Sequence, residues 1–170
     1  AKAKGEDLIQ LMKANQPRRV RVGIGIPSGR TWEAGTAIDV AGLMSFSTSH
    51  GIEMAIMNVQ TSMISHGRNS TVELALKENC DYIMWIDSDM RIMPDALMRL
   101  LQHDKDIVGA TYNKRVPPYE TLGKLKGDKP AVTGGGLHEA LLLPGGMMLV
   151  KCDVYKKLEW PFYWESYSWL

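Results

Sequence analysis

Only two cysteines, Cys80 and Cys152, occur in the 170 residues. Two thiols, each beside an apolar strand-like segment, exclude a disulfide-stapled scaffold and read as buried core residues. Long hydrophobic runs are missing too. No apolar stretch could span a bilayer, and the N-terminal stretch is charged and amphipathic rather than signal-like. A chain without a membrane span in the cytoplasm is the expectation. Charge of one sign is also scarce. The formal net charge is only +1 at pH 7, so composition supplies no pull toward nucleic acid or lipid surfaces. Neither an internal repeat nor a linker is visible, and the length suits one domain with a full core.

What is present is an alternation of short apolar runs and amphipathic segments. Leu8, Ile9, Leu11 and Met12 predict a helix over 7–15, stopped by Pro17, so residues 1–19 read as an N-terminal helical extension. From residue 20 to 170 a single domain is expected. Residues 20–26 form a strand that ends in the turn signal Pro27-Ser28-Gly29. Ile38, Ala41 and Met44 suit the buried stripe of a helix over 34–49, ended by Gly51. A second strand covers 53–59. Ser70-Thr71-Val72-Glu73 has the form of a capping box opening a helix to about Asn79. A third strand covers 82–86, a helix 96–102 and a fourth strand 106–111. This order predicts an α/β fold, a mostly parallel central sheet with helices on both faces. Between Lys114 and Lys129 the chain is basic and rich in proline and glycine, as a functional or mobile loop would be. An apolar segment over 140–143, the turn Pro144-Gly145-Gly146, a strand over 147–150 and a short helix over 153–158 follow. The end of the chain is densely aromatic, with Trp160, Phe162, Tyr163, Trp164, Tyr167 and Trp169. Core packing or a subunit contact is the commoner reason for such a cluster.

The chemistry concentrates in Asp87-Ser88-Asp89. An apolar strand ends there in two carboxylates separated by one serine, and buried charges without partners cost several kcal/mol each, in round terms. If the extended geometry persists to Asp89, both carboxylates point into one space. Hard oxygen donors at that spacing suit Mg²⁺ or Mn²⁺. The competing structural role is a cap on the helix that follows Pro94. In open α/β sheets ligands bind beyond the carboxyl ends of the strands. Pro27-Ser28-Gly29-Arg30, the stretch after Val59, and Asp87-Ser88-Asp89 all fall there. Arg68 and Asn69, read as lying just ahead of the third helix, stand near the same edge, where an arginine could pair with phosphate. His138 is a further candidate ligand.

The order of these parts resembles a GT-A glycosyltransferase of the family 2-like kind. The resemblance rests on the strand before Pro27-Ser28, on Arg68-Asn69, and on Tyr82-Ile83-Met84-Trp85-Ile86-Asp87-Ser88-Asp89. It continues through Ile92-Met93-Pro94-Asp95 and Gly145-Gly146-Met147-Met148-Leu149-Val150, and covers roughly residues 20–158. It implies a nucleoside diphosphate sugar as donor and an acceptor hydroxyl on protein, glycan, lipid or modified DNA. Asp89 would be the direct ligand of Mn²⁺ or Mg²⁺, with Asp87 near the metal or the ribose. Pro27, Ser28, Arg68, Asn69 and Ser88 would line the nucleotide, and Gly145 and Gly146 would let backbone approach the sugar. Residues 114–129 would cover the donor or meet the acceptor. The family's general base is an acidic pair after an aromatic stretch like residues 161–169. It is expected beyond Leu170, with Glu165 as a substitute, so the domain is expected to be C-terminally incomplete. Two rivals remain: a nucleotidyltransferase, for which Gly23-Ile24-Gly25-Ile26-Pro27 is a poor phosphate loop, and a nucleotide-binding or interaction module without turnover.

Overall fold

The structure, a computed structural model, describes residues 18–132, 134 and 136–164. The N-terminal helix expected over 7–15, as well as Glu165, Tyr167 and Trp169, lie outside the described residues.

Strand β1 (Arg21–Gly25) leads to helix α1 (Ala34–Ser49), and β2 (Glu53–Met57) to α2 (Ile64–Lys77). Then come β3 (Tyr82–Ile86), α3 (Ala96–Leu101) and β4 (Ile107–Gly109). Three short strands, β5 (Lys124–Leu125), β6 (Lys129–Pro130) and β7 (Ala140–Leu142), precede β8 (Met147–Lys151) and α4 (Cys152–Tyr155). The main sheet has the order β2-β1-β3-β8-β4. β1 pairs in parallel with β2 and β3, whereas β8 runs antiparallel between β3 and β4. The mainly parallel sheet with helices on both faces is therefore observed as the sequence predicts. α1 leaves β1 toward β2 on one side, and α2 returns the chain to β3 on the other. The carboxyl ends of β1 and β3 thus form the switch point where such sheets open a crevice.

Strand alternation sorts the core into two faces. Val22, Ile24 and Ile26 meet Met84 and Ile86 on one face, under Val40 and Leu43 of α1 and Leu97 and Leu100 of α3. On the other, Ile83 and Trp85 pack with Val72 and Ala75 of α2 and with Cys152 and Tyr155 of α4. Each fully buried aliphatic side chain contributes roughly 1.5–3 kcal/mol. Gly25 makes the second face fit. A Cβ there would lie 2.6 Å from the Trp85 ring, so only glycine lets the indole cross β1.

Four sequence expectations change. α2 begins at Ile64, so Ser70-Thr71-Val72-Glu73 is helix interior rather than a capping box. Arg68 and Asn69 accordingly lie inside the helix and are buried. The buried positions of α1 are Thr36, Val40, Leu43 and Ser47, while Ile38 is 70% exposed. Residues 114–129 are not a structureless loop, because β5 and β6 join β7 in a three-stranded antiparallel sheet. Three of its lysines are paired close by: Lys114 with Glu120, Lys124 with Asp128, Lys126 with Glu139. Cys80 and Cys152 are buried free thiols, as expected.

Candidate functional site

β3 ends at Ile86, and the chain turns at once: the Met90 amide donates to the Asp87 carbonyl at 3.2 Å. The two carboxylates are thus brought together by a turn and not by continued strand alternation. Neither caps the next helix, whose N-cap position is Asp95, with no side-chain cap bond. The Asp87 amide donates to Gly146 O at 3.1 Å, tying the turn to the start of β8. From α1, Asp39 accepts from Arg91 Nε at 2.6 Å and from the Ile92 amide at 3.0 Å, fastening the segment that follows. The Arg91 hydrogen bond, then that of Ile92, hold the Asp39 carboxyl below its ordinary range.

Asp87 stands above a buried cation. The Arg68 side chain is only 10% exposed and lies 3.4 Å from Asp87 Oδ1, while donating to Gly145 O at 3.1 Å. Its guanidinium stacks over Trp85 at 4.9 Å and Tyr163 at 5.5 Å, both distances suited to cation–π attraction. Burial pushes the Asp87 carboxyl above the usual carboxylate range, with the Asp89 charge adding to this and Arg68 and Arg115 opposing it. Asp89 is engaged from the other side. Arg115 reaches its Oδ1 at 2.5 Å and its carbonyl at 3.1 Å. The two carboxyl groups, 40% and 37% exposed, face a space open to solvent.

The remaining predicted residues divide into two kinds. Ser28 lies at the carboxyl end of β1, bridged to Gln60. Its hydroxyl donates to Asn58 Oδ1 at 2.9 Å and accepts from Trp32 Nε1 at 3.1 Å. The Ser88 carbonyl accepts from the Glu33 amide at 2.9 Å, so the β1 and β3 loops meet there. Pro27, half-buried, completes this rim. Asn69 has a structural task. Its Nδ2 donates to Tyr163 O at 2.7 Å, and its Oδ1 accepts from the Tyr163 amide at 2.9 Å. Phe162 and Tyr163 therefore dock into the core, while Trp160 and Trp164 stay exposed.

Gly146 is where the backbone must come closest. Its amide donates to the Tyr112 hydroxyl at 2.9 Å, and a Cβ would sit 2.4 Å from that oxygen and 2.6 Å from Asp87 Oδ2. The space beside Gly145 is taken by Arg68. The room that both glycines leave is thus filled by this chain's own side chains. His138 is exposed, next to β7. Among the described residues no group of three or more His, Cys, Asp or Glu side chains is assembled that could hold a metal, so His138 does not join the acid pair.

Sequence reasoning missed Trp32, Asn58, Tyr112 and Arg115, because each reaches the site from a loop whose place is set by distant contacts. The signal nearest to hand was the basic pair Lys114-Arg115. The acid pair fits a divalent cation chemically. The Asp89 charge is near enough to raise the Asp87 carboxyl, Asp89 already accepts a cation in Arg115, and repulsion of this kind is what a divalent ion would relieve. With two protein donors, the other positions would fall to water and phosphate, as Mg²⁺ commonly has it.

Residues 39–121 match the family model Anp1, a glycosyltransferase-like family. The match spans just under half of the chain and includes Arg68, Asp87, Asp89 and Arg115. No curated protein matches the chain. Among solved structures, the chain is similar to A197 from STIV at 17% identity and TM-score 0.52, over 85% of this chain and 70% of that one. A glycosyltransferase involved in the glycosylation of the major capsid of PBCV-1 matches at 12% identity and TM-score 0.44, over 79% and 62%. The synthase of 4-diphosphocytidyl-2C-methyl-D-erythritol matches at 15% and 0.42, over 82% and 78%. At these identities the likeness that carries weight, to A197, is one of fold.

Proposed function

We propose that this chain is the donor-binding part of a GT-A-like glycosyltransferase, which moves a sugar from a nucleoside diphosphate sugar to an acceptor hydroxyl. The observation that carries the reading is the acid pair Asp87 and Asp89, half-exposed at the carboxyl end of β3 and at the switch point of the sheet. The Anp1 match over the same residues supports it.

Asp89 and Asp87 would hold Mn²⁺ or Mg²⁺, whose chemistry is to neutralise the charge that builds on the departing diphosphate. Asp87 is kept in place by Arg68 beneath it and by the Gly146 carbonyl beside it. The base and ribose would lie along Pro27 and Ser28, with the Ser28 hydroxyl oriented by Asn58 and Trp32. Arg68, nearly enclosed, would act through Asp87 and not by direct contact with phosphate.

Titration calorimetry with UDP and GDP, in Mn²⁺ and in chelator, tests the reading. Nucleotide binding is expected to need the cation. Asp89→Ala should remove that dependence, and Asp87→Asn should weaken binding less. Equal affinity in chelator and in Mn²⁺ would overturn it.

A further inference from the structure

Arg115 belongs to the segment between β4 and β5, which brings it against the acid pair. Its base is fastened by the bridge between Asn113 and Thr121 and by the Lys114 amide donating to Glu120 O at 2.9 Å. The tip between them, 115–119, is exposed. From this tip the guanidinium lies 2.5 Å from Asp89 Oδ1, and its side chain is 60% exposed. Glu33 and Asp87 add their fields to that of Asp89 at the same guanidinium. A cationic side chain thus stands where the proposed function requires a metal ion.

We propose that Arg115 is a built-in counter-cation, which holds Asp89 in the donor-free protein and binds the diphosphate once a divalent ion has taken the carboxylates. The inference rests on the nucleotide-sugar reading of this site. Its physical basis is that a guanidinium recognises phosphate oxygens as well as carboxylate oxygens, through the same planar fork of donors. A phosphate held at Asp89 through a cation would come within reach of the guanidinium, which now lies against that carboxylate. Arg115 can therefore exchange one anion for the other by a side-chain rotation, while the base of its loop stays fastened. The exchange has an uncommon signature: Arg115 opposes the metal when it is alone and favours the metal–nucleotide complex.

Mn²⁺ binding, followed by electron paramagnetic resonance of the free ion, and UDP and GDP binding in saturating Mn²⁺, followed by calorimetry, test this on the wild-type chain, Arg115→Ala and Arg115→Lys. Removing the competitor should tighten Mn²⁺ alone about two- to fivefold, the range of an exposed ion pair. The same Arg115→Ala chain should bind nucleotide in Mn²⁺ about tenfold more weakly, as loss of a hydrogen bond to a charged group implies. Arg115→Lys should lie between the two in both assays. The exposed position lets the variants fold, which circular dichroism checks. Changes of the same sign in both assays, or no change in either, overturn the proposal while leaving the nucleotide-sugar reading standing. If no chain takes up Mn²⁺ or nucleotide under any condition, that reading falls and the proposal falls with it.

Discussion

The two faces of the main sheet are built from different materials. One is largely aliphatic: Val22, Ile24, Met84 and Ile86 lie under α1 and α3, with Thr36 and Ser47 of α1 the polar side chains buried beside them. The other mixes thiols, aromatic rings and one guanidinium. There Trp85 Nε1 donates to the Tyr155 hydroxyl at 2.9 Å, which lies 2.6 Å from the Tyr163 hydroxyl, and Arg68 stacks on Trp85 and Tyr163. The first face supplies non-directional stabilisation and tolerates repacking. The second is directional, since each polar atom must find its partner or lose its desolvation energy. It is also the face that ends in Asp87. The difference indicates a division of labour, in which one side of a five-stranded sheet holds the fold and the other holds the carboxylate in position.

The largest expected effect tests that division directly. Ile24 is fully buried on the aliphatic face, so Ile24→Ala should cost about 2–5 kcal/mol of stability by lost transfer energy and a residual cavity. Measured by urea unfolding, the loss should appear with nucleotide affinity unchanged in the folded fraction. Arg68→Met on the other face should do the reverse. Methionine fills the gap between Trp85 and Tyr163, and Asp87 is open enough to hydrate, so stability should fall less than in Ile24→Ala. Asp87 would lose its anchor, however, and metal-dependent nucleotide affinity should drop. Equal behaviour of the two variants in both assays would dissolve the comparison.

Gly146→Ala should have the next largest effect, and only on the polar side. The added methyl would meet the Tyr112 oxygen and Asp87 Oδ2 inside van der Waals distance. Overpacking of this kind costs roughly 1–3 kcal/mol. Because Asp87 is one of the two groups pushed aside, nucleotide binding in Mn²⁺ should weaken along with thermal stability. Gly25→Ala, which collides with the Trp85 ring on the same face, is the control. It should lower the melting temperature with a smaller effect on binding, because the indole lies below Arg68 and not at the carboxylates.

The same division explains what could be read in the sequence. β3 was legible to the residue because five apolar side chains end in two acids, a pattern that only a buried strand reaching solvent produces. The parallel order followed from alternation of strands and helices. α1 was legible as a helix but not by its face, since the sheet is met by Thr36 and Ser47 as well as Val40 and Leu43. Small polar residues at the right spacing hide a buried stripe. The start of α2 carries no side-chain cap bond, so nothing local marked Ile64. Asn69, inside that helix, finds its partner in Tyr163, 94 residues further along the chain. The strands of the small sheet span only two or three residues each, too short for any periodicity. Tyr112 and Arg115 are placed by tertiary contacts with Gly146 and Asp89, to which the sequence gives no index.

The smallest expected effect asks whether the polar face is nevertheless dry. Cys80 and Cys152 lie within it, 4% and 1% exposed. Burial pushes both thiols up, Cys152 from 9.0 to about 12. In the native protein Cys152 stays neutral where the unfolded chain has already ionised, so above pH 9.0 the unfolded state carries fewer protons than the native one. The contribution of this thiol to stability is then fully present below pH 9.0 and declines as pH rises toward 12. Urea midpoints should fall over that interval, and Cys152→Ala should flatten the decline while lowering stability at pH 7 through the lost sulfur contacts. Since the thiolate is the reactive form, iodoacetamide at pH 8 should modify neither cysteine in the native protein at the rate seen in urea. Native-state alkylation at the unfolded rate would mean that water reaches the aromatic face. The Arg68 stack would then be solvated, and its hold on Asp87 no stronger than that of an exposed ion pair.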